Sequence, residues 1–488
     1  MPKDKINFQT PIDFWAIFIC LIGFTFWSYL LTLKFNSFGF SDWDMSLYAQ
    51  AMQSLCHGTT YTSLFGTSFL ADHAHYISFL LVPLYALFPH PLTLINLELF
   101  SFFGGGYLFY KVASKSIGKL AALFLMIVYF IHPANIFMLL YEFHFESLAI
   151  GLIFLMFYFW SEKKWVPFLI TAFVTMLTKE NMALIVVMFG VYGMLFNKES
   201  KWRWGFVIFI FGLLYFSINM FILIPYIRRG MVHTSNIYLG LYSQFGGTPQ
   251  EMMRNLFFHP KLLLRWVTGS LNLKYYKNCT GPFLFLSFWG PRFLMGLPIL
   301  AQNILSNTST MHTIYYHHAA TLIPFAAMGA VDALGFFKTF IRQKVFVALV
   351  AFIVLSGGVS TLSYWRDWQD RANWVTPSPS VCQYMVNQIP KGASVVASFV
   401  FFSHLTDHKE LYPFYNVWRD FNVYTNQQPY LLPDNIQYAL IDYNDPWLLE
   451  DIEYDPVLTK KRLRNFMAQY KWKIKQRFED IVLYEREK

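Results

Sequence analysis

Asp42 and Asp44 stand in a short polar stretch, Ser41-Asp42-Trp43-Asp44, directly after the first apolar run of the chain. Titratable groups recur at the ends of later apolar runs: Asp72-His73-Ala74-His75, Glu142-Phe143-His144-Phe145-Glu146, Lys179-Glu180 and His317-His318. Ionisable groups at the edge of hydrocarbon are costly to keep, which makes them functional candidates. A partly shielded carboxylate can take the proton of an attacking hydroxyl. Asp44 therefore reads as a general base. Transfer from an activated phosphate donor with inversion needs only that one base, provided cations stabilise the departing phosphate. The candidates for that second task are Lys179, His317 and Arg228, the last because guanidinium suits phosphate. His73, His75, His144, Glu146, Glu180 and His318 are candidates for lining the substrate pocket.

Each of these residues has a plainer reading. Ser41, Asp42 and Asp44 precede an amphipathic run at 45–55 and have the right types for helix capping. Glu146 begins an apolar run, where an acid complements the helix dipole. Lys179 and Glu180 read as an ion pair at the tip of a helical hairpin, and Arg228 and Arg229 as rim charges. Tyr315, Tyr316, His317 and His318 have amphipathic side chains suited to a membrane interface. A divalent metal at Asp72, His73 and His75 is an alternative. Histidines at i and i+2 diverge on both strands and helices, so one hydrogen-bonding histidine is preferred and no metal ligands are assigned.

Composition says what must position these groups. Of 488 residues 55% are hydrophobic and 14% charged, with 53 Phe and 30 Tyr. With a mean hydropathy of +0.36, this excludes an ordinary soluble enzyme. The apolar runs are long and continuous, which argues for membrane helices rather than a barrel. Candidate spans are 14–33, 92–110, 120–137, 147–160, 165–178, 182–196, 205–225, 282–290, 293–305, 319–337 and 345–362, about eleven crossings. Several are shorter than the ~20 residues a perpendicular helix needs and must be tilted, extended into flanking residues, or re-entrant, and the 282–305 pair, hinged at Gly290-Pro291-Arg292, is the weakest of the spans. The net charge of +9 sits in short loops, so it reads as topology and not as nucleic-acid binding. With Lys3 and Lys5 in the cytoplasm, alternate loops carrying Lys111/Lys115/Lys119, Lys163/Lys164, Lys198/Lys201/Arg203, Arg292 and Lys338/Arg342/Lys344 fall inside. All the titratable candidates then share the outer face. The first span lacks a small-residue cleavage site and reads as an anchor. Cys20, Cys56, Cys279 and Cys382 show no metal spacing.

Two outer segments are long, 36–91 and 226–281, and the former contains an interfacial or re-entrant run at 76–88. Beyond residue 363 the charge rises. Helices are expected at 381–388 and 458–470, strands at 393–398 and 437–442, and a closing hairpin from 472–476 and 481–484. The expected organisation is a membrane domain at 1–363 and a small extracytoplasmic α/β domain at 364–488.

These residues also carry a resemblance. Asp44-Met45-Ser46-Leu47-Tyr48-Ala49-Gln50, Asp72-His73, Leu81-Val82-Pro83-Leu84-Tyr85, Glu142 to Glu146, Lys179-Glu180, Tyr316-His317-His318 before Ile323-Pro324-Phe325, and Ile389 to Ala397 occur in the order of a widespread family of multi-pass membrane proteins. That family is grouped with the GT-C glycosyltransferases, and the resemblance covers nearly the whole chain. It implies a GT-C fold, a polyprenyl-phosphate-linked sugar donor, and an acidic residue of the first outer loop acting as base or metal ligand, the place Asp44 holds, with Asp42 as the runner-up because many relatives carry paired acids there. The family usually has glycine where this chain has Ser46. The implied partners are membrane lipid, the lipid-linked donor, and a glycan, lipid or protein acceptor. The implied setting is a bacterial inner or plasma membrane. A lipid or glycan transporter and a non-enzymatic scaffold are the rival readings. A transporter favours midplane polar groups and internal repeats. Here the polar groups sit at segment ends and no repeat is visible.

Overall fold

The computed structural model describes residues 11–197, 200–229, 237–372, 378–422, 425 and 427–487. Lys3, Lys5, Lys198 and Pro377, which entered the expected topology and linker, lie outside the described residues. Apolar sequence forms helices here because a span must satisfy its backbone groups internally. Among the described residues five helices are long and apolar enough to cross a bilayer: Pro11–Asn36, Pro91–Ile117, Trp202–Ile227, His317–Phe337 and Gln343–Leu362. Lys119–Phe130 and Pro133–Leu140 make a sixth if taken together, bent by 46°. Pro133 has no N–H to continue the first half, and the His132 ring caps the second by accepting from the Ala134 N–H at 3.2 Å. Shorter apolar helices, Ile77–Leu87, Phe145–Ser161, Trp165–Met176 and Met182–Phe196, accompany them. The chain is thus a polytopic helical membrane protein.

The structure corrects the expected eleven crossings at 282–305. That stretch folds as three short 3₁₀ turns, Gly281–Phe283, Leu286–Trp289 and Pro291–Gly296, and one helix, Leu297–Ile304. Prolines follow Gly281 and Gly290, and Leu284 and Phe285 take left-handed backbone angles, so no continuous helix forms. The segment packs on the last-but-one span, with Ser287 Oγ donating to the Ala326 carbonyl at 2.8 Å.

Small residues let the bundle close. Pro91–Ile117 and Ala149–Ser161 cross where Gly105 meets Gly151, and a Cβ at Gly151 would lie 2.4 Å from the Ser101 carbonyl oxygen. Gly151→Leu is therefore expected to lower thermal stability by about 1–3 kcal/mol or more, because backbone cannot give way as a side chain can. Thermal unfolding of the detergent-purified chain measures it; an unchanged Tm would mean that the two helices part freely.

The basic loops gather at one end of the bundle. Lys119 Nζ meets Asp13 at 2.6 Å, which also accepts from the Tyr110 hydroxyl, and Lys115 meets Glu162. At the other end the segment after Trp202–Ile227 forms Pro249–Phe258, Pro260–Val267 and Ser270–Thr280, with Phe257, Phe258, Leu264 and Leu271 exposed. Such apolar faces suit a bilayer interface.

The C-terminal sheet has strand order Leu411–Pro413, Val395–Ala397, Tyr438–Asp442, Ile481–Arg486 and Trp472–Phe478. The first three strands are parallel and the last two join antiparallel. Its helices include the expected Pro379–Asn387 and Pro456–Tyr470; the edge strand Leu411–Pro413 is an addition, too short to show a period. The sheet domain is fastened to the end of the first long helix and the segment that follows it. Ser63 Oγ bonds the Leu411 carbonyl at 2.7 Å and amide at 2.9 Å. The His404 ring lies 4.2 Å from Phe35 and 3.8 Å from Phe38, and its Nε2–H donates to the Phe35 carbonyl at 3.0 Å.

Candidate active site

Asp44 opens the helix Asp44–Cys56, but it does not cap it: the N-cap is Trp43, and its side chain makes no capping bond. The capping reading gives way because Glu142 takes that role from across the bundle. Its two carboxylate oxygens accept from the Met45 amide at 2.7 Å and the Asp42 amide at 2.8 Å. The carboxylate stands where the helix dipole favours negative charge. Asp44 is left free to turn elsewhere.

The Tyr141 hydroxyl lies 3.1 Å from Asp42 and 3.0 Å from Asp44. One hydroxyl proton serves one carboxylate at a time, so the two acids share a single donor. Asp44 also meets His144 Nε2 at 3.2 Å, while His144 Nδ1–H donates to the Glu142 carbonyl at 3.0 Å. With both ring nitrogens donating, His144 carries the positive charge that Asp44 needs. Burial works against the charge on Asp44, but His144, His317 and Tyr141 outweigh it and hold the carboxyl well below its ordinary value. Burial and the charge of Asp44 push Asp42 the other way. Burial and the two aspartates push Glu142 up, against the pull of its amide bonds. Burial lowers His144, and the attraction of Asp44 and Glu146 more than restores it.

The chain of charges continues. The His144 and His317 rings stack with centroids 3.4 Å apart, and His317 Nε2–H donates to Glu146 at 3.1 Å. The other Glu146 oxygen holds the Lys179 ammonium at 2.5 Å. Glu180 accepts from His73 Nδ1 at 2.8 Å and the Ala74 amide at 3.0 Å. His75 is buried beside them, its Nδ1–H donating to the Thr178 carbonyl at 2.7 Å. Residues 72–75 form an irregular turn, so the divergence expected of a strand or helix does not apply, and the His73 and His75 rings lie 5.3 Å apart. Arg228 ties this turn down, donating to the Ala71 carbonyl at 2.5 Å and the Asp72 carbonyl at 3.1 Å. His318 stands 4.0 Å from His317, ring to ring. All eleven candidate residues therefore form one neighbourhood, though Lys179 and Arg228 are committed to protein partners.

A cavity of about 710 Å³ meets this neighbourhood at Asp42, the one candidate residue in its lining. The bundle lines it with Lys34, Asp42, Tyr141, Glu142, Tyr316 and Arg371, and the C-terminal sheet with Asp442, Asn444, Asp445 and Trp447. Tyr141, Arg371 and the 442–447 loop were not singled out from sequence. Tyr141 adjoins the Glu142–Glu146 motif, which was the available signal; Arg371 and the loop sit in segments whose charge reads as solvated surface.

Glu146, His317 and His318 each offer one ligand atom, all within 4.8 Å of one another. A divalent cation there would face the Lys179 ammonium across the carboxylate it most needs, so the charges fit a metal poorly.

The family model for predicted membrane proteins of unknown function, DUF2079, matches residues 34–483. The chain belongs to the DUF2079 family. No curated protein matches it. Among solved structures, ArnT from Cupriavidus metallidurans bound to undecaprenyl phosphate superposes with a TM-score of 0.52 at 12% identity, over 96% of this chain and 97% of that one. The Archaeoglobus fulgidus oligosaccharyltransferase in complex with Zn and sulfate gives 0.43 at 11% identity, over 91% of this chain and 70% of that one. This DUF2079 member has the fold of the GT-C glycosyltransferases.

Proposed function

We propose that this protein is an integral-membrane glycosyltransferase. It takes a sugar from a polyprenyl-phosphate donor and passes it, with inversion, to a hydroxylated acceptor at the extracytoplasmic face of a bacterial inner membrane. The observation that carries the reading is the Asp42–Asp44 pair, relieved of capping by Glu142 and joined through the Tyr141 hydroxyl, with Asp42 and Tyr141 lining a cavity between bundle and sheet. The acceptor oxygen attacks the sugar C1, its proton passes to Asp44, and the C1–oxygen bond to phosphate breaks. Asp44 is kept ionised by His144 and so is ready to receive that proton. Asp42 and Tyr141 orient the acceptor hydroxyl. The lipid phosphate leaves with the bond electrons. ArnT, of the same fold and solved with undecaprenyl phosphate, supports the choice of donor. The gathering of basic loops at the far end of the bundle supports the outward face of the site.

The test is transfer of labelled sugar from a panel of polyprenyl-phosphate sugars by the full chain in vesicles. Product with inverted configuration supports the reading, and none across the panel rejects it. Because Lys179 already neutralises Glu146, EDTA is expected to leave turnover unchanged. Loss on chelation with recovery on adding a divalent ion would overturn that part.

A further inference from the structure

The groups chosen from sequence to hold a phosphate are engaged elsewhere: Lys179 and the His317 Nε2–H by Glu146, and Arg228 by two backbone carbonyls. Lys34, at the cavity wall, donates to the Leu140 carbonyl. Arg371 differs. It belongs to the helix Trp365–Ala372, which follows the last span and packs back against Pro133–Leu140. Its guanidinium carbon lies 5.7 Å from the Phe137 ring, 6.0 Å from Tyr141, 5.7 Å from Tyr315 and 5.4 Å from Tyr316. The negative ring faces hold the charge in place without consuming its N–H donors. Asp367, one turn back on the same helix, would be its natural partner. That carboxylate instead accepts from the Tyr315 hydroxyl at 2.7 Å. Among the described residues Arg371 makes no hydrogen bond and no ion pair, and it lines the cavity that Asp42 lines.

We propose that Arg371 is the phosphate-ester ligand of this cavity, a preoriented guanidinium that binds two phosphate oxygens side by side. Planar, bidentate donation to phosphate is what guanidinium does and ammonium does not. The Tyr141 ring spans the distance: its hydroxyl touches Asp42 and Asp44, and its face meets the guanidinium. A phosphate on Arg371 thus places the atom bonded to it toward the two acids. The identity of that atom as a sugar C1 rests on the transferase reading above; the phosphate site does not.

The experiment measures binding of a polyprenyl phosphate to the detergent-purified full chain, with polyprenol and inorganic phosphate as separate arms. Arg371→Gln is expected to weaken polyprenyl-phosphate binding about ten- to hundredfold, the worth of a charged hydrogen-bonding group. Arg371→Lys, which keeps the charge and the packing stem, should fall between the two. Competition by inorganic phosphate would show that the headgroup alone is recognised, and its failure to compete would show that the lipid chain is read as well. Equal binding of polyprenol and polyprenyl phosphate, or undiminished binding by both Arg371 variants, would overturn the site. Arg371→Gln that loses binding in a chain transferring no sugar upholds the site and removes the transferase reading. Arg371→Gln that binds and transfers as the parent does removes the site and leaves the transferase.

Discussion

Asp44→Asn is expected to cut sugar transfer by about 10²–10⁴-fold while leaving the chain folded, the range lost when a positioned general base is removed. The amide keeps the shape and still accepts from Tyr141, so the helix Asp44–Cys56 and its Glu142 cap have no reason to move. What disappears is the site where the acceptor proton goes, together with the charge that faces His144. The loss should fall on kcat and leave the binding of donor intact. Asp42→Asn is the necessary comparison. Asp42 lines the cavity directly, where it orients the acceptor hydroxyl, and burial beside Asp44 raises its affinity for a proton. Its replacement should cost less kcat and more KM for the acceptor. If Asp42→Asn proves the more damaging of the two, the roles of the acids are exchanged; turnover retained in both would take the base out of this loop altogether.

The fold was legible because a membrane helix leaves its mark in one local property, an unbroken apolar run, and because short basic loops mark one end of a bundle. The exception, 282–305, is apolar enough but is punctuated by Gly-Pro pairs, and composition alone does not separate a span from a turn packed on a neighbouring helix. The site was legible as a set of residues and less so as a set of roles. Asp44 near an apolar boundary announces a carboxylate, but whether it caps or catalyses depends on Glu142, about a hundred residues away in sequence and bonded to the Asp42 and Met45 amides. Lys179 shows the same limit. An ammonium at a hairpin tip looks available until Glu146 is placed 2.5 Å from it. Arg371 is the converse, a charge among charges in sequence that tertiary packing surrounds with four aromatic rings.

Lys179→Met is expected to destabilise the protein by about 3–5 kcal/mol, since removing one partner of a buried pair leaves the other charge uncompensated. Both groups are buried, and Lys179 lies between acids: burial disfavours its charge, and Glu146 and Glu180 more than restore it. Glu180 retains His73 and the Ala74 amide when Lys179 goes, so the strain falls on Glu146, left with His317 alone. That asymmetry makes the double variant informative. Glu146→Gln removes the orphaned charge while keeping an oxygen to accept from His317 Nε2–H. Lys179→Met with Glu146→Gln should therefore recover a substantial part of the loss, a coupling that two independent surface changes do not show. The measurement is thermal or denaturant unfolding of the purified chain in detergent, for parent, both single variants and the double. Were the single Lys179→Met variant to unfold with the parent, the relay from Asp44 through His144, His317 and Glu146 would not be held in place by this ammonium. The low affinity of Asp44 for a proton would then have to come from its direct partners His144 and Tyr141.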